Sequence, residues 1–303
     1  MSFYAELQVT THFSFLRGAS SCEELFAQAA HLGIAALGIT DRHSLASAVR
    51  AYEAAEITGV RAIVGCRLDL RDGETLLVYP EDRSAYGRLC RLLTLGKSRA
   101  GKGACDLNWE DVTGHAQGLV AVLVPDRPDE ICAVRLRRLK YTFGDRAYLA
   151  LSLRCRPGDR RRIHELSNLA ITARVKTVAT NDVLFHHPGR RILQDVVTCI
   201  REGCTIDDAG FRRERFADRY LKSPEEMGRH FARWPDAIAR TNEIAERCTF
   251  SLGELAYQYP NEVSEPGKTA QQTLSELTWT GAAWRYPEAF PIKSGRRSNT
   301  SCA

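Results

Sequence analysis

Short apolar runs of strand length alternate with helix-length amphipathic segments through the first two thirds of the chain, and this alternation limits the fold more than any other feature. The strand candidates occupy residues 4–9, 35–40, 61–70, 75–79, 118–124, 147–153 and 176–180. Helical patterns lie between most of them, and the first helix opens with a capping box at Ser21 and stops at Gly33. Asp72 and Gly73 predict a hairpin between two of the strands. The alternation predicts an α/β fold, a parallel sheet of about seven strands covered by helices and able to close into a barrel.

The composition excludes several classes of protein. Of the 303 residues, 44% are hydrophobic and 26% are charged, which is typical of a globular domain. No stretch approaches the ~20 apolar residues of a membrane span, and the first residues lack the pattern of a secretory signal, so we expect a cytoplasmic protein. The ten cysteines include no Cys-x-x-Cys pair, which predicts reduced thiols. A net charge of +5 allows a nucleic-acid partner without requiring one.

After about residue 206 the pattern becomes helical. Ser223 and Pro224 predict a helix start, and residues 235–248 and 269–285 are two further helix candidates. The predicted domains are a barrel over residues 1–206, a helical connector packed on it over 207–256, a linker and one helix over 257–288, and a disordered tail over 289–303.

Functional residues of a barrel of parallel strands lie where the strands end. The polar and charged residues at those positions are Gln8, Thr10, Asp41, Arg42, Arg67, Asp126, Arg154, Asn181 and Asp182. Basic clusters at residues 135–140, 154–162 and 212–215 can neutralise phosphates, although each is also typical of a solvated helix face.

Six segments, in order, resemble the motifs of the polymerase-and-histidinol-phosphatase (PHP) domain at the N-terminus of bacterial C-family DNA polymerases. They cover residues 6–18, 38–41, 63–66, 178–183, 220–227 and 244–248. Residues 13–20 and 195–203 are similar to the error-prone DnaE-like branch. The resemblance implies a distorted seven-stranded (β/α) barrel of the PHP type, followed by a small helical connector.

Most metal-binding positions of the family pattern are replaced in this chain. Where the pattern has histidine or glutamate, this sequence has Gln8, Thr10, Arg42, Arg67, Ala150 and Leu184. Asp41 and Asp182 keep the family residue. Transition-metal sites need several imidazoles and carboxylates around each ion, whereas a guanidinium only donates and repels a cation. We therefore predict a vestigial site with no metal, no bound cofactor and no catalytic residue.

Histidines near this site leave a second class of function open. His12, His43 and the pair at residues 186–187 could rebuild a shifted site, which would make the chain a metal-dependent phosphoesterase of the PHP superfamily. A solvated or capping role is the simpler interpretation of these histidines. Asp41 and Asp182 are also compatible with turn or helix-cap positions.

The resemblance implies that the parent enzyme is an error-prone DNA polymerase, a nucleotidyltransferase of DNA replication and DNA repair that acts in translesion synthesis and damage-induced mutagenesis. Its partners would be DNA, the sliding clamp and accessory mutagenesis proteins, and the palm of the full-length polymerase would hold Mg²⁺. For a polymerase, the candidate contacts with a DNA backbone are Arg160, Arg161 and Arg162. No palm carboxylate motif follows Glu288. We therefore expect a truncated fragment that does not polymerise alone, with a divergent tail and a PHP domain that acts as a structural scaffold.

Loss of the metal ions would leave two partly buried carboxylates without a counter-charge. Guanidinium groups bind carboxylates bidentately, and arginines stand where ligands are expected. We predict that Arg42 or Arg67 lies within salt-bridge distance of Asp41 or Asp182.

Overall fold

A computed structural model shows a mixed α/β fold and describes residues 3–213, 216–255 and 267–288. It divides into two units, Met1–Glu254 and Leu255–Ala303. In the second unit the described element is one helix, α10 (Ala270–Arg285), which corresponds to the helix predicted at 269–285 and opens with a capping box at Thr269. The predicted linker at 257–266 and the predicted tail at 289–303 lie outside the described residues, and the predicted domain limits stay predictions.

Two sheets form the centre of the first unit. The three-stranded sheet is parallel and contains, in order, β1 (Ala5–Val9), β2 (Ala36–Ile39) and β3 (Arg61–Val64). The five-stranded sheet contains, in order, β4 (Cys66–Asp69), β5 (Thr75–Pro80), β6 (Leu119–Leu123), β7 (Ala147–Ser152) and β8 (Lys176–Thr180). Within it, β6, β7 and β8 are parallel, and β5 is antiparallel to both of its neighbours.

The predicted α/β class is confirmed, but the single parallel sheet is wrong. The predicted hairpin explains the difference, because Gly73 adopts a left-handed φ of 77° and reverses the chain between β4 and β5. Those strands pair from Cys66 opposite Val78 to Asp69 opposite Thr75. A connection this short joins antiparallel strands, whereas parallel neighbours need a long crossover.

Gly65 alone separates the last strand of one sheet from the first strand of the other. A Cβ atom at this position would lie 2.7 Å from the ring of Tyr79. The buried Tyr79 hydroxyl donates a hydrogen bond to the backbone carbonyl of Leu7 in β1. The tyrosine therefore occupies the space that a side chain at residue 65 would need and links β5 to the other sheet.

A second junction brings the chain beyond β8 against β1. The Thr10 amide donates to the Val183 carbonyl at 2.9 Å, and the Val183 amide donates to the Gln8 carbonyl at 2.8 Å. These two bonds continue parallel pairing past the end of β8. Thus the two sheets meet at both of their borders.

Helices cover the sheets of this unit. Those described are α1 (Cys22–Leu32), α2 (Ala48–Thr58), α3 (Arg83–Arg99), α4 (Trp109–Gly114), α5 (Glu130–Phe143), α6 (Asp159–Ala173), α7 (Arg191–Glu202), α8 (Pro224–His230) and α9 (Pro235–Arg247). Ser21 and Gly33 cap α1 as predicted. None of the described helices is both long and apolar enough to cross a membrane.

The glycines at residues 96, 101 and 103 predict a loop over 96–108, and this prediction is partly wrong because α3 continues to Arg99. Gly96 does not stop α3. It is buried, and a Cβ atom there would lie 2.6 Å from Sγ of Cys105. This glycine therefore allows close packing against the following loop.

The helix predicted at residues 235–248 packs on the sheets. Thr241 of α9 accepts a 3.2 Å hydrogen bond from the Ala5 amide of β1. Glu243 accepts a 2.8 Å bond from the Tyr148 hydroxyl of β7. Contacts from both sheets thus hold α9 in the first unit.

Candidate functional site

The carboxyl ends of β1, β2, β6, β7 and β8 open onto a cavity of about 450 Å³. The predicted site residues that line it are Thr10, Arg42, Arg67, Asp126, Ala150, Arg154, Asp182 and Leu184. Gln8, Asp41 and Asn181 are buried and do not line it. The cavity therefore lies at the end of the strands where the sequence analysis placed its candidate residues.

Asp182 follows β8 and is 1% exposed. Its Oδ2 contacts the terminal guanidinium nitrogens of Arg154 and Arg219, the latter at 2.6 Å, and its Oδ1 accepts a 2.9 Å bond from the Gln8 side-chain amide. Burial on its own would raise the pKa of Asp182, but the guanidiniums of Arg219 and Arg154 outweigh it and hold that pKa well below the usual range. The carboxylate is therefore ionised and neutralised by this chain's own cations.

Asp41 follows β2 and is fully buried, but hydrogen bonds rather than ion pairs satisfy it. Its Oδ1 accepts from the Thr11 amide at 2.9 Å and from the Ser14 hydroxyl at 2.6 Å. Its Oδ2 accepts from the Thr11 hydroxyl at 2.8 Å and from the Ser47 hydroxyl. These four donors join the β1–α1 loop to the start of α2, which is a structural role for this carboxylate.

The prediction that Arg42 or Arg67 pairs with Asp41 or Asp182 is wrong. Both arginines pair with Asp69 instead, Arg42 Nε lying 2.6 Å from Oδ2 and Arg67 Nε donating a 2.9 Å bond to Oδ1. Residues 67 and 69 are two apart in β4, so their side chains lie on the same face of the strand. That alternation was available from the sequence and could have identified the pair.

Of the two arginines that pair with Asp182, the sequence analysis identified one and missed the other. Arg154 was predicted at the site, because it follows a strand. Arg219 was missed, and its only signal is its place directly before the segment at 220–227. The chain brings it to Asp182 from 37 residues away.

Arginines dominate the lining of the cavity. Those that line it are Arg17, Arg42, Arg67, Arg154, Arg156, Arg162, Arg201, Arg212 and Arg219. The acidic residues that line it are Asp126, Asp159, Asp182 and Asp195. Nine guanidiniums against four carboxylates make the cavity strongly positive.

Of the three arginines predicted to contact DNA, Arg162 reaches the cavity. It donates to Asp159 at 3.3 Å and to the Ser152 carbonyl at 2.5 Å. Arg161 is exposed and pairs with Glu165 on the same helix at 2.8 Å, and Arg160 does not line the cavity. Contact of these residues with DNA stays a prediction.

The histidines named as possible ligands do not converge. His12 Nδ1 lies 3.2 Å from the Ser20 carbonyl, and His186 Nδ1 lies 2.8 Å from the Ser20 hydroxyl. His187 accepts a 3.1 Å bond from the Gly189 amide. Three or more His, Cys, Asp or Glu side chains that could hold one metal ion do not come together within residues 3–213, 216–255 and 267–288.

His43 differs from the other histidines, because its buried Nδ1 has no hydrogen-bond partner among the described residues. Burial lowers the pKa of His43 to about 4, and the nearby guanidiniums of Arg42, Arg67 and Arg17 act in the same direction, against Asp69. The ring is therefore neutral near pH 7. With Asp182 engaged by two guanidiniums and Asp41 by four donors, the residues present do not fit a metal ion.

Comparisons with known proteins support the resemblance. Residues 6–152 match the family model of the PHP domain. The chain is 64% identical over 290 residues to an error-prone DNA polymerase of Agrobacterium fabrum, with 96% of this chain and 27% of that protein covered. It is 52% identical over 292 residues to an error-prone DNA polymerase of Caulobacter vibrioides, again with 96% and 27% covered. The chain thus spans about a quarter of the length of these relatives, and the predicted recognition is confirmed.

A solved structure was also found. It is a protein of Bifidobacterium adolescentis named as a metal-dependent phosphoesterase, with 14% identity and a TM-score of 0.48. The match covers 60% of this chain and 88% of that one.

Proposed function

We propose that this chain, which carries a PHP domain and matches error-prone DNA polymerases over nearly its whole length, is part of such a polymerase and that its PHP domain is a metal-free structural scaffold. One observation carries the proposal. Both carboxylates that the family pattern retains are already engaged, Asp182 by Arg154 and Arg219 and Asp41 by hydroxyl and amide donors.

Charge argues against the metal-dependent phosphoesterase that the sequence left open. A divalent cation at Asp182 would have to displace two guanidiniums and then remain in a cavity lined by nine arginines. Like charges repel strongly in a partly desolvated site. The neutral His43 lies near Arg42, Arg67 and Arg17, and a single imidazole does not make a transition-metal site.

The same contacts support the scaffold role. The Asp182 carboxylate connects the ends of β7 and β8, the Gln8 amide of β1, and the segment that leads into α8. Asp41 connects the ends of β1 and β2 with α2. Buried carboxylates that accept several hydrogen bonds in this way fix the relative positions of loops and strand ends.

We also propose that the two sheets together act as the distorted seven-stranded barrel of the PHP type. β3 and β4 can be counted as one strand bent at Gly65. The bonds between Thr10, Val183 and Gln8 then close the ring between β8 and β1. The proposed domain limits remain 1–206 for the barrel and 207–256 for the connector.

The activity of the whole polymerase belongs to the proposal as well. We propose that the parent enzyme works in the cytoplasm on DNA, with the sliding clamp and accessory mutagenesis proteins as partners, in translesion synthesis and damage-induced mutagenesis. Mg²⁺ would serve its palm and not the PHP domain.

Metal analysis tests the scaffold role. The purified chain, incubated with Zn²⁺ or Mn²⁺ and then dialysed, should retain substoichiometric metal, and EDTA should not change its melting temperature. It should not hydrolyse phosphomonoesters or DNA 3′ ends, and primer extension by the chain alone should give no product. Two tightly held ions per chain, lost together with stability in EDTA, would favour the phosphoesterase.

A further inference from the structure

Two cysteines at the end of α7 have no part in the proposed function. The helix ends at Glu202, and Gly203 after it has a left-handed φ of 64°. The Cys204 amide donates a 3.1 Å hydrogen bond to the Cys199 carbonyl, and the Gly203 amide donates a 3.3 Å bond to the Ile200 carbonyl. These two bonds form a Schellman motif, in which side chains near the two ends of the outer bond commonly touch. The turn therefore brings residues 199 and 204 together.

The thiols of Cys199 and Cys204 are free and interact with each other. Burial raises the pKa of Cys199, and the Cys204 thiol raises it further through its charge and a hydrogen bond, an interaction that requires the sulfur atoms to be close. Disulfides join residues whose Cα atoms lie ~4.4–6.8 Å apart, and a direct backbone hydrogen bond holds two residues at a spacing of this order. A bond between these sulfur atoms therefore requires little movement of the backbone.

The two thiols differ in their access to small molecules. Cys199 is 7% exposed, whereas Cys204 is half-buried. Both line a cavity of about 550 Å³ at the end of α7, which shares no lining residue with the cavity at the ends of the strands. A small oxidant in this cavity therefore reaches the Cys204 sulfur more easily than the Cys199 sulfur.

A second pair of cysteines offers an internal comparison. Cys105 lies close enough to Cys66 to raise the pKa of the Cys66 thiol, although burial raises it more. Cys66 is fully buried, and its thiol donates a 3.4 Å hydrogen bond to the Asp41 carbonyl. Proximity of sulfur atoms is thus common to both pairs, whereas access from a cavity and the turn at Gly203 belong to the pair at the end of α7.

We propose that Cys199 and Cys204 form a reversible disulfide when the protein meets hydrogen peroxide, so that the end of α7 carries a redox-sensitive lock. The Cys204 thiolate attacks one peroxide oxygen, the O–O bond breaks, and the leaving hydroxide takes up the proton that the thiol released, which gives water and a sulfenic acid. The Cys199 sulfur then attacks the Cys204 sulfur. The S–S bond forms, the S–O bond breaks, and the hydroxyl leaves as water with the Cys199 proton. Two electrons pass from the thiols to the peroxide, and a dithiol reductant reverses the reaction by exchange.

The disulfide closes a ring across Gly203 and fixes the left-handed turn after α7. The segment that follows brings Arg213 to 3.8 Å from Asp195 of the same helix, so the oxidised chain is fastened to α7 at both points. In reducing compartments, disulfides are usually transient and redox-sensing. This inference goes beyond the proposed function, which gives the thiols no role.

Mass spectrometry of the full chain tests the proposal. The reduced chain is treated with hydrogen peroxide in native buffer, blocked with iodoacetamide and digested with trypsin without reductant. Trypsin cleaves after Arg201, so the disulfide should appear as residues 192–201 joined to residues 202–212, a product that dithiothreitol separates. Cys204→Ser should abolish this product, and Cys155→Ser, which removes an exposed cysteine elsewhere, should leave it unchanged. The oxidised chain should melt about 3 °C above the reduced chain, and Cys204→Ser should show no such rise.

Trapping of the sulfenic acid distinguishes a reacting thiol from a packed neighbour. Dimedone added with the peroxide should label Cys204 roughly tenfold more in Cys199→Ala than in the unaltered chain, because no thiol then consumes the sulfenic acid. Equal labelling of the two proteins would overturn the proposal, as would the absence of the joined peptides, since the cysteines then only fill space. Joining of Cys66 to Cys105 as readily as Cys199 to Cys204 would also overturn it. Each of these failures leaves the metal-free scaffold proposal standing.

Discussion

Arg219 contacts Asp182 twice: its Nη2 lies 2.6 Å from the carboxylate Oδ2, and its Nε donates a 2.8 Å hydrogen bond to the backbone carbonyl of the same residue. Asp182 has a left-handed φ of 50°, which is uncommon for a residue other than glycine. One guanidinium therefore neutralises the side chain and also holds the backbone in this conformation. The segment ahead of α8 is fastened to the end of β8 by this contact.

Arg219→Ala should lower the free energy of unfolding by about 3 kcal/mol, because it removes one of two cations from a buried carboxylate while Arg154 remains. Urea denaturation followed by circular dichroism measures the change. Asp182→Asn added to Arg219→Ala should recover part of the loss, since the stranded charge is then absent. Arg161→Ala breaks an exposed pair and should leave the midpoint unchanged. Equal midpoints for Arg219→Ala and the unaltered chain would contradict this prediction.

Glu6 should make the protein less stable as the pH rises. Burial raises the pKa of Glu6 to about 7, although the Tyr4 hydroxyl and the Gln8 and Asn181 amides donate to its carboxyl group. The unfolded chain releases this proton near pH 4.5, so the stabilisation is full below that pH and is lost as the pH rises to about 7. Over this pH range the contribution of Glu6 to the free energy of unfolding falls by roughly 3 kcal/mol. Glu6→Gln should remove it.

The comparison for Glu6 is the difference between urea midpoints at pH 5 and pH 8. It should be large for the unaltered chain and much smaller for Glu6→Gln. If both proteins show the same dependence on pH, Glu6 does not titrate in this range and the prediction is wrong.

His43, in contrast to Glu6, should make the protein less stable as the pH falls. Its pKa is lowered from 6.5 to about 4 in the folded chain, so its contribution to stability is full above pH 6.5 and is lost as the pH falls through 4. His43→Asn, which tolerates the left-handed φ of 51°, should reduce the loss of stability between pH 6.5 and 4.5. His31→Gln alters an exposed histidine and should have no such effect. Thermal melts at the two pH values provide the measurement.

Asp69→Asn should destabilise the chain because it leaves Arg42 and Arg67 without a carboxylate. Melting temperatures of Asp69→Asn and of the unaltered chain, at equal ionic strength, give the result. An unchanged melting temperature would contradict the assigned ion pairs.

The sequence could predict elements better than it could predict pairs of side chains. The strand at Lys176–Thr180 and the capping box at Ser21 follow from local patterns, and the structure confirms both. The end of α3 was placed too early because Gly96 suggested a loop, whereas this glycine allows close packing against Cys105. Local patterns decide elements because the interactions that form them are between residues near in the chain.

In the candidate site, too, the pairs of side chains were harder to predict than the elements that carry them. Guanidiniums neutralise Asp182, but they belong to Arg154 and Arg219 rather than to the predicted Arg42 and Arg67. Arg219 reaches Asp182 only through the path of the chain after α7, which no local pattern specifies. Asp41 was expected to need a cation, and hydroxyl groups of the neighbouring loops satisfy it instead. Such contacts depend on loop conformations that the spacing of residues does not encode.

The position of Tyr79 against Gly65 has a consequence for how the first unit unfolds. Its phenol ring fills the gap between β3 and β4, and its hydroxyl bonds Leu7 in the other sheet. Neither sheet can open there without exposing this buried ring and breaking that bond. The two sheets therefore form one cooperative unit, and slow amide hydrogen exchange in β1 and β5 should report a common free energy of opening. A substitution that destabilises one sheet should therefore lower the free energy of opening of both sheets.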